Sequence, residues 1–317
     1  MNPINIVCAT DENYAPYCGV MITSVFENNK NRDVNVYIII DKTLSVNAIS
    51  KFKKLEEKYN QCIVFCEVDK SFLESFPIKG NGVGQLSIAS YYRIYAADLL
   101  PKTVDKVLYL DCDIIVNKEI GELFDMEWKD VAVGVVDDMC IEWQEYYDRL
   151  QYDRVLGYFN SGVVLMNLEY WRKHNISTQC IEYLVHNYKI IENNDQDVLN
   201  VVLRKQKKSL HITYNYQTLF LDPYCFDTFL KKMKDDVLIE KNPKIIHYAS
   251  RMKPWMAYYY SYPFYSVWKK YKKISPWRYR LELLPKNHKL VALMKRYLFW
   301  PLGIWLKKPN IIEGWKE

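Results

Sequence analysis

The chain has no long apolar run, no paired-cysteine motif, little glycine and little net charge, and each shortage removes a class of protein. Its longest apolar stretch, Tyr297 to Leu306, is ten residues long and contains Pro301, about half of what a membrane-spanning helix needs. Its eight cysteines, at 8, 18, 62, 66, 112, 140, 180 and 225, include no C-x-x-C pair, which argues against zinc ribbons and thioredoxin-type chemistry. Cys62 and Cys66 flank the apolar Ile63-Val64-Phe65 and read as core thiols. Only ten glycines are present, three of them in Gly80-Asn81-Gly82-Val83-Gly84. No G-K-[ST] follows that run and no strand precedes it, so it reads as a flexible loop or lid and not a phosphate cradle. Met1 to Thr10 lacks a basic segment, a long apolar segment and a small-residue cleavage site, and the expected location is a reducing cytoplasm. The net charge is only +5, with residues 269–317 carrying 13 Lys/Arg against 3 Glu and the preceding body slightly acidic. A globally basic nucleic-acid binder is not expected from that distribution.

What is present is enough apolar sequence for a full core: 50% hydrophobic residues against 26% charged in 317 positions. Aromatics reach 15%, with 27 Tyr and 9 Trp, which suits surfaces that meet sugars, lipid headgroups or partners. The first hundred residues alternate between strand and helix patterns. Ile4 to Ala9, Val34 to Ile40 and Cys62 to Val68 read as strands, and Tyr17 to Phe26 and Ser45-capped residues to Tyr59 as helices. A helix is expected from Ile88 to Leu99, stopped by Pro101, then an apolar strand from Lys106 that ends in Asp111 and Asp113 and is followed by more strand to Val116. Further strands are expected at Val131 to Val136, Gly162 to Met166 and Lys244 to Tyr248, and a helix from Asp195 to Arg204. Without a repeat or a linker, residues 1–268 are expected to form one α/β sandwich around a mostly parallel sheet.

Chemistry concentrates in a few places. Asp111-Cys112-Asp113 interrupts an apolar strand, which sets two carboxylates at the edge of a buried sheet, where α/β ligand sites lie. Their mutual repulsion and desolvation would be relieved by a divalent cation. His247 ends the last strand and could add a nitrogen ligand, favouring Mn²⁺ over Ca²⁺; Lys253 could face a phosphate. Asp195-Gln196-Asp197 opens a helix, where capping and dipole effects explain the acids as well as a sugar site does.

These residues make the chain resemble glycosyltransferase family 8, the retaining group with the nucleotide-diphospho-sugar transferase (GT-A) fold, and in particular bacterial lipopolysaccharide and lipooligosaccharide α-galactosyl- and α-glucosyltransferases. The resemblance runs in order through Ala9-Thr10-Asp11-Glu12-Asn13-Tyr14, Tyr92-Arg93, Val107 to Asp113, Phe159-Asn160-Ser161-Gly162-Val163, Asp195-Gln196-Asp197, His247-Tyr248 and Lys253-Pro254-Trp255. It implies that Ala9, Asp11 and Asn13 hold the uridine of a UDP-sugar, UDP-galactose or UDP-glucose. Asp111, Asp113 and His247 would bind Mn²⁺ (or Mg²⁺), with Cys112 as the variable middle residue. Lys253, and the backbone of Ser250 where relatives often have glycine, would meet the diphosphate. Arg93, Asn160, Asp195 and Gln196 would surround the hexose, and Asp138 would contact the acceptor, a glycan or glycolipid. Gln196 stands where a nucleophile would be needed, and an amide is a poor one, so front-face substitution is expected. A self-glucosylating primer enzyme and a degenerate sugar-nucleotide-binding scaffold are the alternatives.

In the tail, 269–317, Leu290, Leu293, Met294, Tyr297 and Leu298 share one helical face, with Lys289, Lys295 and Arg296 off it. That pattern suits an anionic membrane surface, with a docked C-terminal helix as the alternative. Deleting 287–317 is expected to release the protein from membrane pellets while leaving donor hydrolysis intact, as fractionation and a UDP-release assay would show.

Overall fold

The computed structural model describes residues 2–41, 44–68, 88–128, 130–229, 233–256 and 263–280. The Gly80 to Gly84 loop and the amphipathic segment from Leu290 to Leu298 lie outside them. Strands Ile4–Thr10 (β1), Val34–Ile40 (β2) and Cys62–Glu67 (β3) alternate with helices Ala15–Asn28 and Val46–Tyr59, as the periodicity predicts. The first helix begins ahead of Tyr17 because Pro16 is tolerated in its opening turn. The second is capped by Ser45, whose Oγ accepts from Ala48 N at 3.1 Å, and it ends at Asn60 in the left-handed region.

A seven-stranded sheet has the order β3-β2-β1-β4-β7-β6-β8, where β4 is Lys106–Leu110, β6 Val133–Asp137, β7 Phe159–Asn167 and β8 Lys207–Ser209. β7 runs antiparallel to both β4 and β6, and the other neighbours are parallel. Successive β1 residues face opposite layers. Ile4, Ile6 and Cys8 pack with helices Ala15–Asn28 and Val46–Tyr59, whereas Val7 and Ala9 pack with Tyr91 to Ala97, Trp171, Leu184 and Val198. Burial on both faces explains why β1 and β2 read as nearly unbroken apolar runs and not as alternating ones.

The strand from Lys106 ends at the aspartates and more strand follows, as expected, but the two parts belong to different sheets: β4 ends at Leu110, and Ile114–Val116 (β5) joins a second sheet of order β5-β10-β9, with β9 Tyr216–Gln217 and β10 Ile245–His247. Both halves are equally apolar, so the pattern carries no sign of the change of sheet. One expectation is corrected. The helix expected from Ile88 to Leu99 is a 3₁₀ stretch, Ile88–Tyr95, followed by one α turn, Ala96–Leu99. Burial of Tyr91, Tyr92, Ile94 and Tyr95 shows that tertiary packing, and not an amphipathic stripe, decides its winding.

The aromatic stretch after Trp255 is core where it is described: Trp255, Phe264, Tyr265 and Trp268 are all buried. The boundary drawn after residue 268 falls inside the helix Tyr265–Ile274, and the packed body runs on to Trp277. Gly19 makes room for that indole, since a Cβ there would lie 2.0 Å from the Trp277 ring. A chain ended at 268 loses buried Tyr271 and Trp277 and is expected to lose its cooperative urea transition, whereas a chain ended at 280 is expected to keep it.

Candidate active site

β1 and β4 are parallel neighbours, and the sheet proceeds from them in opposite directions. Their carboxyl ends therefore border the crevice where open α/β sheets take ligands. Cys112 ties the two ends together, its Sγ donating to Ala9 O at 3.2 Å, so the middle residue of the motif points into the core and away from the carboxylate cluster. Asp111 and Asp113 occupy the link between the two sheets, and Tyr248 N donates to Asp113 O at 3.0 Å.

Each aspartate has one oxygen committed to the protein and one turned to His247. Asp111 Oδ1 accepts from Arg93 Nη2 at 2.8 Å and Tyr109 OH at 2.9 Å, while Oδ2 lies 4.0 Å from His247 Nε2. Asp113 Oδ2 meets Lys253 Nζ at 2.5 Å, while Oδ1 lies 3.3 Å from His247 Nε2. One ligand atom from each of the three residues falls within 4.8 Å of the others. Gly162 opens the space beside them: a Cβ there would come within 2.2 Å of His247 Cε1 and 2.8 Å of Asp111 Oδ2. Two hard oxygens, one imidazole nitrogen and a wall kept clear by glycine fit a divalent cation of the Mn²⁺ or Mg²⁺ kind. Lys253 is held in place by its bond to Tyr248 O at 3.0 Å. The turn that carries it is anchored by Trp255, stacked on Tyr17 with ring centroids 3.7 Å apart.

Arg93 joins this cluster to the Asp195 side. Its buried guanidinium donates to Ser161 O, lies 4.1 Å from the Tyr109 ring centroid, and places Nε 3.0 Å from Asp195 Oδ2. The Nε–H is aimed at Ser90 O, so Asp195 Oδ2 is within reach of the charge yet has no aligned donor among the described residues. Its neighbour Asp197 differs: it accepts from Arg149, Tyr158 OH and the backbone N–H groups of Glu192 and Asn193. The capping explanation thus holds for Asp197 and leaves Asp195 unexplained by the fold. Gln196 is pinned at both ends, Oε1 accepting from Ser161 N at 3.0 Å and Nε2 donating to Asp138 Oδ2 at 3.3 Å. Asp138 and Asn160 are buried and bonded to each other.

The β1 end is looser. Asp11 Oδ1 accepts from Tyr14 N at 2.8 Å and shapes the turn into the first helix, and Asn13 is exposed. The backbone N–H expected of Ser250 toward a phosphate is instead donated to Tyr248 O at 2.7 Å, and Arg251 beside it is exposed. Sequence reasoning missed Tyr109, Asn215 and the part played by Gly162. Tyr109 had a signal, since on a strand it shares the face of Asp111 two residues on; Asn215 had none.

Burial works against a charge on Asp113, but Lys253 and His247 outweigh it and hold the group well below the ordinary carboxylate range. For Asp195 burial prevails over the opposing pull of Arg93, and Asp111 adds to it, so the group rises to about 6.

The glycosyl transferase family 8 profile matches residues 5–258. The lipopolysaccharide 1,2-glucosyltransferase of Escherichia coli strain K12 is 29% identical over 302 residues, covering 93% of this chain and 84% of that protein. The lipopolysaccharide 1,3-galactosyltransferase of Salmonella typhimurium strain LT2 is also 29% identical over 302 residues, covering 93% and 85%. The galactosyltransferase LgtC, crystallised with donor and acceptor sugar analogues, superposes with a TM-score of 0.74 at 24% identity, over 89% of this chain and 98% of that one. That likeness establishes the GT-A fold expected from the resemblance.

A raised acid favours the folded state only while protonated, so Asp195 lowers stability progressively as pH rises from the unfolded value of 3.8 through about 6. Urea unfolding should therefore show Asp195→Asn gaining on the native protein between pH 4 and pH 7, by an amount on the order of 3 kcal/mol. A difference that does not change with pH would contradict the assignment.

Proposed function

The chain belongs to glycosyl transferase family 8, and from that premise we propose that it moves a hexose, galactose or glucose, from its UDP conjugate to a hydroxyl of a cell-surface glycan acceptor that is lipid-linked. The relatives named for lipopolysaccharide glucosyl and galactosyl transfer support the acceptor class. The observation that carries the reading is the Asp111, Asp113 and His247 cluster, with one oxygen of each aspartate turned to Nε2 and the other held by a cation. These three residues would hold Mn²⁺, or Mg²⁺ in its place, and the ion when bound supplies positive charge to the UDP diphosphate. Ala9, Asp11 and Asn13, at the carboxyl end of β1, are assigned to the uridine.

Lys253 stands beside Asp113 and is assigned to the diphosphate as negative charge gathers there. Arg93 and Asp195 are assigned to the hexose, where a sugar hydroxyl supplies the donor that Asp195 Oδ2 lacks. Gln196 is fixed by Ser161 and Asp138, and its amide does not form a stable glycosyl ester. Retention then follows from attack on the face that UDP leaves. The sugar–phosphate C–O bond breaks, the acceptor oxygen bonds to the same carbon, and its proton passes to a leaving phosphate oxygen. Among the described residues no helix is long and apolar enough to cross a membrane. The basic residues after 268 are assigned to the anionic cytoplasmic face of the membrane.

The test is UDP release from a panel of UDP-sugars, with Mn²⁺ and with EDTA. One UDP-hexose is expected to be hydrolysed in a metal-dependent manner, and Asp113→Ala to lower that rate by roughly a hundredfold or more. Absence of Mn²⁺-dependent UDP binding in calorimetry would overturn the reading.

A further inference from the structure

Behind His247 lies a chain of side-chain amides that the reaction scheme leaves unused. His247 Nδ1 is 3.0 Å from Asn215 Oδ1, Asn215 Nδ2 is 2.9 Å from Asn160 Oδ1, and Asn160 Nδ2 is 2.9 Å from Asp138 Oδ2. Asn160, Asn215 and His247 are each under a tenth exposed, as is Asp138. The direction of such a chain matters because an imidazole can carry its proton on either nitrogen, and only the bare one can take a cation.

Two fixed points set the direction. The backbone N–H of Gly162, which can only donate, lies 3.0 Å from Asn160 Oδ1. The Asp138 carboxylate accepts from Asn160 at the other end and from the backbone N–H of Cys140 at 2.9 Å. Turning the Asn160 amide over would set NH₂ against N–H and oxygen against carboxylate, two repulsive contacts inside the protein. With Asn160 so held, its oxygen also takes the Asn215 NH₂, which leaves the Asn215 oxygen toward His247. An oxygen at 3.0 Å requires a proton on Nδ1.

We propose that Asn160 and Asn215 form a directional relay, rooted on Gly162 N–H and Asp138, that holds His247 protonated at Nδ1 with Nε2 bare toward Asp111 and Asp113. The relay assigns positioning roles to Asn215 and Asp138, and Asp138 extends its own to the metal side and to Gln196, whose Nε2 shares its Oδ2. Without the relay, the neighbouring Asp113 oxygen at 3.3 Å would draw the ring proton to Nε2 and close the position. The value of the relay to metal binding rests on the proposed function, but the tautomer does not.

Long-range ¹H–¹⁵N spectra of the metal-free, ¹⁵N-labelled protein, taken where the ring is neutral, read the tautomer directly, with His247→Gln assigning the signal. The native protein is expected to show Nδ1 protonated and Nε2 bare. In Asn215→Leu the proton should move to Nε2, and Mn²⁺ affinity, measured by calorimetry without a sugar nucleotide, should fall about 10–100-fold. Asn215→Asp retains an oxygen against Nδ1–H and should return the proton to Nδ1, while its second oxygen opposes Asn160 Oδ1 and lowers stability. A native His247 protonated at Nε2 overturns the relay, whether or not the variants fold. So does an Asn215→Leu protein with native-like unfolding and Mn²⁺ affinity within about twofold of the original. A native protein with the expected tautomer and no Mn²⁺ binding would retain the relay and overturn the metal reading instead.

Discussion

Two carboxylates one residue apart at the edge of a buried sheet repel each other, and much of the surrounding chain is arranged to answer that repulsion. Unit charges about 4 Å apart interact by about 4 kcal/mol near a protein surface, a large share of a typical domain's stability of about 5–15 kcal/mol. The answer is incomplete in a specific way. Arg93 satisfies one oxygen of Asp111 and Lys253 one oxygen of Asp113, and in each residue the second oxygen is left to face His247. A structural ion-pair network would use all four oxygens. Leaving two of them beside an imidazole nitrogen creates a deficit that a cation would fill.

The same constraint links the two sheets. β4 ends at Leu110, just before Asp111, and β5 begins after Asp113, so the carboxylates sit where the chain passes from one sheet to the other. Arg93 reaches them from the 3₁₀ stretch on one face, and Lys253 from the turn after β10, which is anchored by Trp255 on Tyr17. Loosening either cation would change both the charge balance and the packing of an element. The geometry of the cluster is therefore determined by core contacts, and little reorganisation is left for the moment of reaction.

How much of this could be read from sequence varied with the physical origin of each feature. β1 and β2 were legible because burial on both faces leaves continuous apolar runs, and Ser45 was legible as a cap because capping is local. β3 was legible as a strand, but at the sheet edge, and its Cys62 is exposed and not the core thiol expected. The Asp-Cys-Asp motif stood out because polar residues interrupt an apolar strand, but the change of sheet at that point did not, since β5 is as apolar as β4. Arg93 and Gln196 entered only through family resemblance, because their partners Asp111, Asp195 and Ser161 are remote in sequence. Asn215 is the clearest case of a residue with no signal. It precedes a two-residue strand and matches no motif, and its partners lie 32 and 55 positions away.

Asp195 shows a cost built into the site beyond Arg93. Its companion Asp197 is fully supplied with donors and stabilises the turn before its helix, whereas Asp195 is equally enclosed and keeps an oxygen without an aligned one. Arg93 Nε lies 3.0 Å from that oxygen, but burial outweighs the pull of its charge. On the proposed assignment to the hexose, such an atom has value because no donor is aligned on it. A hexose that places a hydroxyl against it supplies the hydrogen bond, while one with that hydroxyl inverted leaves the oxygen buried without one. A site that demands a hydrogen bond discriminates far better than one that merely has room. Galactose and glucose differ by the orientation of a single hydroxyl, so on that assignment the oxygen whose burial costs stability is also the one suited to distinguish them.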